Sequence, residues 1–211
     1  MPFDQFTNPV RSAEELIAII GTPSEFSLKK ELKSLDRHMR QFIAHSPFVV
    51  ISTHSSDGLC DASPRGDAPG FVQVIDEQTL LIPDRLGNKR VDSYRNILQT
   101  GRVGLLFLIP GFGETLRING KCILVSDESW LKPLTVQGKQ PSIGVAVDVE
   151  ECFLQCAKAL IRSKLWEPHT QADLASLPCA AEMFADHAQL PDFDRDKTQV
   201  LLDAAYKDRL Y

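Results

Sequence analysis

Phe48-Val49-Val50-Ile51-Ser52-Thr53-His54 is followed by Ser55-Ser56-Asp57-Gly58 and then by Leu59-Cys60-Asp61-Ala62-Ser63. The first segment is apolar and rich in β-branched residues, the second is a cluster of turn formers, and the third returns at strand length. Together they read as a β-hairpin. Pro47 marks the place where the helical spacing of the preceding residues gives way to the period of strands. Outward from the hairpin, residues 71–75, 79–82, 103–109, 115–125 and 143–149 read as further strands, with Pro110-Gly111-Phe112-Gly113 as a turn. Six or so strands joined mostly by short turns predict an antiparallel barrel, and they argue against repeated βαβ units and a doubly wound sheet.

One helix interrupts the strands. Residues 88–99 carry Val91, Tyr94, Ile97 and Leu98 at three- and four-residue steps, with Asn88 as N-cap and Gly101 as stop signal. This reading puts Lys89 and Arg90 in a first helical turn, where free N–H groups and the helix dipole favour acids. Either both side chains turn into water, or an anion such as a phosphate sits between them.

The flanks read as helical, giving an α+β chain. Ser12-Ala13-Glu14-Glu15 is a capping box for a short helix ending at Gly21. From Ser27, the residues Leu28, Leu32, Leu35, Met39, Phe42 and Ile43 predict a second helix reaching Pro47. After Glu150, Phe153, Leu154, Ala157, Leu160, Ile161 and Leu165 predict another, ended by Glu167-Pro168, with Lys158, Arg162 and Trp166 along one edge and Ser163 beside them. That edge suits either a flat anionic ligand or a structural Arg–Trp stack. Residues 170–211 read as helix broken by Pro178 and by Pro191-Asp192-Phe193-Asp194, with Leu201, Leu202, Ala205, Tyr206 and Leu210 as the last core stripe. The expected organisation is a single domain over 1–211: a helical extension over 1–46, a barrel over 47–150 and a helical part over 151–211.

A net charge of −5 argues against a nucleic-acid partner or a membrane surface, so any anion site must be a local basic cluster. The longest apolar run, residues 103–109, is far below the roughly 18 residues that cross a bilayer, and the N-terminus lacks a basic region followed by an apolar one. A cytoplasmic protein is expected. Cysteines 60, 122, 152, 156 and 179 are odd in number and form no Cys-x-x-Cys pair, which argues against a disulfide framework. Cys152 and Cys156 are expected on one side of a helix as small buried residues, and no metal is assigned.

Gly-x-Gly-x-x-Gly, a phosphate loop, a Gly-x-Ser-x-Gly elbow and His-Glu-x-x-His are all missing, which lowers the prospects of Rossmann enzymes and hydrolases. What remains is basic: Arg65, then Lys89 and Arg90, then Lys158, Arg162 and Trp166. A barrel that joined Arg65 to Lys89 and Arg90 would offer a terminal phosphate a fork of donors.

Residues 47–125 resemble the pyridoxamine 5′-phosphate oxidase-related flavoproteins of the FMN-binding split β-barrel superfamily, and more narrowly a subfamily of FMN-dependent proteins with generally unassigned substrates. The matching stretches are Ser63-Pro64-Arg65-Gly66-Asp67, Leu81-Ile82-Pro83-Asp84, Gly87-Asn88-Lys89-Arg90 with Asn96-Ile97, and Thr115-Leu116-Arg117-Ile118-Asn119-Gly120. Cys152-Phe153-Leu154-Gln155-Cys156-Ala157-Lys158-Ala159, Arg162-Ser163 and Leu165-Trp166 extend the likeness, which covers about residues 30–170.

The resemblance implies an antiparallel split β-barrel and a homodimer with FMN at the subunit interface. It implies that Arg65, Lys89 and Arg90 hold the FMN phosphate, within a strand motif that adds Ser63 and Asp67 to the candidate set. It lays Ile82, Pro83 and Asp84 along the isoalloxazine, puts Asn88 near the phosphate or ribityl chain, and lets the second chain supply Glu114, Thr115, Lys158, Arg162, Ser163 and Trp166. Ile82-Pro83 stands where the oxidases carry an aromatic-Thr pair, their C-terminal Arg-x-His signature has no counterpart here, and Gln155 stands where many subfamily members carry His. The expected function is therefore an FMN-dependent oxidoreductase acting on a small molecule, not pyridoxamine 5′-phosphate oxidation. The alternative is a non-catalytic flavin or haem binding or storage protein. No catalytic acid or base is named.

Overall fold

The computed structural model describes residues 3–168 and 176–211. Seven strands form one antiparallel sheet: β1 Phe48–His54, β2 Cys60–Gly66, β3 Gln73–Val74, β4 Thr79–Pro83, β5 Arg102–Leu108, β6 Thr115–Val125 and β7 Gly144–Gln155. Their order is β2-β1-β5-β6-β7-β4-β3. Although β2 and β4 lie toward opposite ends of that order, Arg65 on β2 makes an ion pair with Asp84, the residue following β4. The sheet therefore curls until its ends face each other across a seam bridged by side chains, which is a split barrel.

Alternation along the strands produces the core. Val49 and Ile51 on β1, Val103, Leu105 and Phe107 on β5, Leu116 and Ile118 on β6, Val145 and Val147 on β7, and Leu80 and Ile82 on β4 are all buried. Each contributes about 1.5–3 kcal/mol relative to exposure, which makes the barrel interior the main source of stability. A bulge falls at Asn119/Gly120 where β6 crosses β7. A Cβ on Gly120 would lie 2.0 Å from the Asp148 carbonyl oxygen, so only glycine lets the two backbones approach so closely.

The helices follow local signals unevenly. The capping box over 12–15 opens α1, Ala13–Ile20, with Ser12 accepting from the Glu15 amide and Gly21 closing it. The long helix expected from Ser27 is instead two: α2, Glu25–Lys29, and α3, Arg37–His45. Between them Leu32 pairs with Cys152 through two backbone hydrogen bonds, and Asp36 begins α3 by accepting from the Met39 amide at 2.8 Å. The regular spacing of Leu28, Leu32 and Leu35 thus spans a strand bridge, and tertiary pairing overrides it.

The helix expected from residue 88 starts later. In α4, Asp92–Thr100, Val91 is the cap residue, the acidic Asp92 occupies the first turn, and Gly101 ends the helix in the left-handed region at φ 59°. Asn88 makes a turn rather than a helix cap, its Oδ1 accepting from the Arg90 amide at 2.9 Å, while Lys89 sits at φ 61°. Asn serves both purposes through the same local hydrogen bond, which is why the sequence misplaced the boundary. Lys89 and Arg90 consequently lie before the helix, not in its first turn.

The expected barrel boundary at residue 150 and the helix after Glu150 are also corrected. β7 continues to Gln155, where it pairs with Thr115 at the start of β6. The helix there, α6, is only Lys158–Ser163, so Trp166 lies beyond it and Cys152 is a strand residue. Cys152 and Cys122 are buried, and burial pushes both thiols up to about 11. Cys156 is exposed rather than buried.

A short helix, α5 Glu128–Leu131, precedes β7, and α7 Ala180–Ala188 and α8 Arg195–Asp208 pack against each other near the C-terminus. The breaks at Pro178 and 191–194 agree with the sequence, whereas residues 170–175 of the predicted helix lie outside the described residues. The expected core stripe of α8 is largely exposed at Leu201, Tyr206 and Leu210, with only Leu202 and Ala205 half-buried. Among the described residues, no helix is long and apolar enough to cross a membrane.

Candidate functional site

Strand β2 alternates like its neighbours, but its inward residues are Asp61, Ser63, Arg65 and Asp67. A charged row facing inward requires polar partners. The segment 84–93 supplies them, running along β2 from one end to the other. Arg85 meets Asp67, Asp84 meets Arg65, and Ser93 meets Asp61, its hydroxyl donating at 2.5 Å.

At the centre lies Arg65, whose side chain is 23% exposed. Its Nη1 is 3.5 Å from Asp84 Oδ1, its guanidinium lies 5.2 Å from the centroid of the Tyr94 ring, and its Nε is buried without a hydrogen-bond partner. Tyr94 donates to the same Asp84 oxygen at 2.5 Å. Burial, followed by that hydrogen bond, pushes the phenol well above its ordinary value against the pull of Arg65, so Tyr94 remains a donor at neutral pH. An orphaned buried N–H on a cation is a standing demand for an acceptor.

Asp67 anchors one end. Its side chain is 2% exposed, and its carboxylate accepts from Arg85 Nε at 2.5 Å, the Ala68 amide at 2.7 Å and the Tyr211 hydroxyl at 2.8 Å. Burial pushes this carboxyl up, but those three donors outweigh it and hold the group below its ordinary value. Arg85, 18% exposed, also donates to the Leu134 carbonyl at 3.0 Å. Asp67 thereby ties β2, the loop after β4 and the C-terminal residues together.

The other end is open. Arg90 is exposed and paired with Asp92, whose hydrogen bond and charge, with a smaller contribution from Asp61, raise the guanidinium above its ordinary value. Lys89 is exposed beside it. The donor set along this seam is a half-buried guanidinium with a free N–H, two exposed cations and the Ser63 hydroxyl, which suits a phosphate.

A family model described as pyridoxamine 5′-phosphate oxidase matches residues 35–156, more than half of the chain. The chain belongs to this family. The matched span includes every strand and all the seam residues except Tyr211. None of the curated proteins compared with the chain matches it.

Among solved structures similar to this family member, HupZ from Group A Streptococcus shares 15% identity at a TM-score of 0.49, covering 57% of this chain and 99% of that one. General Stress Protein 26 from Bacillus anthracis shares 12% at 0.40, covering 56% and 93%. An FMN-binding protein from Syntrophomonas wolfei subsp. wolfei shares 13% at 0.41, covering 67% and 92%.

The structure divides the residues singled out from the sequence into two groups. Ser63, Arg65, Asp67, Asp84, Asn88, Lys89 and Arg90 lie on β2 or the segment facing it, with Ile82 and Pro83 leading into that segment. The side chains of Ile82 and Pro83 are buried. Their outer backbone edge extends past β3, which pairs only with Leu80 and Leu81.

Glu114, Thr115, Lys158, Arg162, Ser163 and Trp166 form the second group, around the Phe112 turn. Thr115 donates to the Gln155 side chain at 3.2 Å and Trp166 Nε1 to the Phe112 carbonyl at 2.9 Å. Lys158, Arg162 and Ser163 are exposed on α6. Sequence reasoning assigned no role to Arg85, Tyr94 or Tyr211. Tyr94 has the spacing of a core residue, and nothing local signals that its hydroxyl faces Asp84.

Proposed function

We propose that this chain is an FMN-dependent oxidoreductase acting on a small molecule, as a homodimer with FMN between the subunits. The observation that carries the reading is Arg65: an inward, half-buried cation with an unpartnered N–H, on the seam of a family split barrel, with Lys89 and Arg90 on the facing segment. These residues fit a phosphate, and Asn88 and Ser63 fit the hydroxyl-bearing chain next to it. Bound FMN supplies the redox chemistry. The protein's part is to hold the phosphate on Arg65, to fix that guanidinium through Asp84 and the Tyr94 ring, and to offer the free backbone edge at Ile82, Pro83 and Asp84 to the ring system.

A filled barrel leaves no interior space for a tricyclic ring, so the ligand belongs outside, where a second subunit can cover it. Phe112, Leu154, Ile161 and Leu165 are exposed around the second group of residues, which supports that face as the one the partner brings. Glu114, Thr115, Lys158, Arg162, Ser163 and Trp166 then complete the partner's site.

Purified protein is expected to be yellow, or to become so on adding FMN. Anaerobic mixing with NADH, NADPH or a reduced deazaflavin should bleach it. A protein that takes up no flavin contradicts the proposal, and a flavoprotein that no donor reduces is a binding or storage protein instead. A Soret band on haem titration without flavin uptake would assign the site to haem.

A further inference from the structure

Beside Asp84 the structure holds a second cavity feature that the phosphate site does not use. It has a volume of about 210 Å³, and Asp84, Arg85, Lys139, Gln140, Ser142 and Tyr211 are among its lining residues. Arg85 is the fixed element: its Nε is bound to Asp67 and its Nη1 to the Leu134 carbonyl, leaving further N–H groups on a guanidinium already oriented.

Lys139 is delivered by a two-residue hairpin. Val136 and Lys139 exchange backbone hydrogen bonds of 3.2 and 2.8 Å, while Gln137 at φ 49° and Gly138 at φ 74° both occupy the left-handed region. Gly adopts that conformation freely, whereas Gln at the other central position is strained, and such strain is characteristic of loops that place a functional group.

The charges do not cancel. Asp84 is matched by Arg65 and Asp67 by Arg85, so Lys139 leaves the cavity with one uncompensated positive charge. We infer that this cavity is a subsite for the anionic group of a small molecule, a carboxylate or a phosphate, with Arg85 as its preorganised donor and Lys139 as its counter-charge. That the anion belongs to the substrate rests on the flavin reading, because the cavity shares Asp84 with the backbone edge offered to the ring. The hydroxyls of Ser142 and Tyr211 add hydrogen bonding at the same wall.

The test is titration of acetate and of inorganic phosphate into FMN-loaded and flavin-free protein, followed by the backbone amide NMR signals of Lys139 and Ser142. Native protein is expected to shift these signals saturably, and Lys139→Gln to weaken the anion about tenfold while leaving FMN affinity unchanged. Arg85→Lys should weaken the anion as well, having lost the fork. A preference for phosphate or for acetate names the group carried by the ligand.

Flavin-free Arg65→Ala protein removes competition from the phosphate site. Anion binding there that is lost in Arg65→Ala/Lys139→Gln supports the subsite even if FMN never binds, in which case only the flavin reading fails. Absence of saturable shifts in every form, undiminished binding in Lys139→Gln, or displacement of the anion by FMN overturns the inference.

Discussion

β1 and β2 are two strands of one hairpin, paired residue for residue from Phe48↔Gly66 to His54↔Cys60, yet they face inward with opposite chemistry. β1 turns Val49, Ile51 and Thr53 into the barrel, while β2 turns Asp61, Ser63, Arg65 and Asp67 toward segment 84–93. The apolar strand needs only another apolar surface. The charged one needs specific partners, and at Arg65 those partners leave a buried N–H unfilled. The lesson is that a barrel can use one strand for stability and its neighbour for recognition, with the same alternation serving both.

The largest effect should come from the apolar side. Phe107 is 0% exposed at the centre of the core, and Phe107→Ala is expected to lose about 3–5 kcal/mol in urea denaturation. A loss below 1 kcal/mol would mean that the barrel interior does not carry the stability.

On the charged side the stability effect concentrates at Asp67. Asp67→Asn leaves Arg85 without its counter-charge and should cost about 3 kcal/mol at neutral pH. The sign with pH follows from the depressed carboxyl. Ionised Asp67 contributes stability that is fully present above the ordinary value of 3.8 and is lost as pH falls through the lower folded value. The gap between native and variant should therefore narrow below about pH 4, and a pH-independent gap would show that the carboxylate charge is not what matters.

These two strands were also unequally legible. The alternation of β1, the turn after it and the bounds of β6 at 115–125 could be read directly, because apolar period and turn chemistry are local. The candidate phosphate residues Arg65, Lys89 and Arg90 were legible as basic outliers in an acidic chain. Their setting was not, since Arg65–Asp84 and Asp67–Arg85 are contacts across the seam that no spacing encodes. Asn88 looked like a helix cap and is a turn residue; Leu32 had helical spacing and forms a strand bridge. In each case the local signal was real, and tertiary pairing decided its use.

The smallest effect distinguishes the open end of the seam from its centre. Lys89→Ala and Arg90→Ala should each weaken FMN by roughly two- to tenfold, because exposed cations are screened, and the loss should diminish as salt rises. Unfolding midpoints should hardly move. A larger loss for Lys89→Ala than for Arg65→Ala would place the phosphate at the loop instead of on β2.

The central claim, that the charged face of β2 is a phosphate site, is tested most directly by measuring FMN and riboflavin affinities for native protein and Arg65→Ala. Loss of one charge-assisted contact should weaken FMN by about 10- to 100-fold and leave riboflavin nearly unchanged. Equal weakening of both flavins, or of neither, would contradict the account.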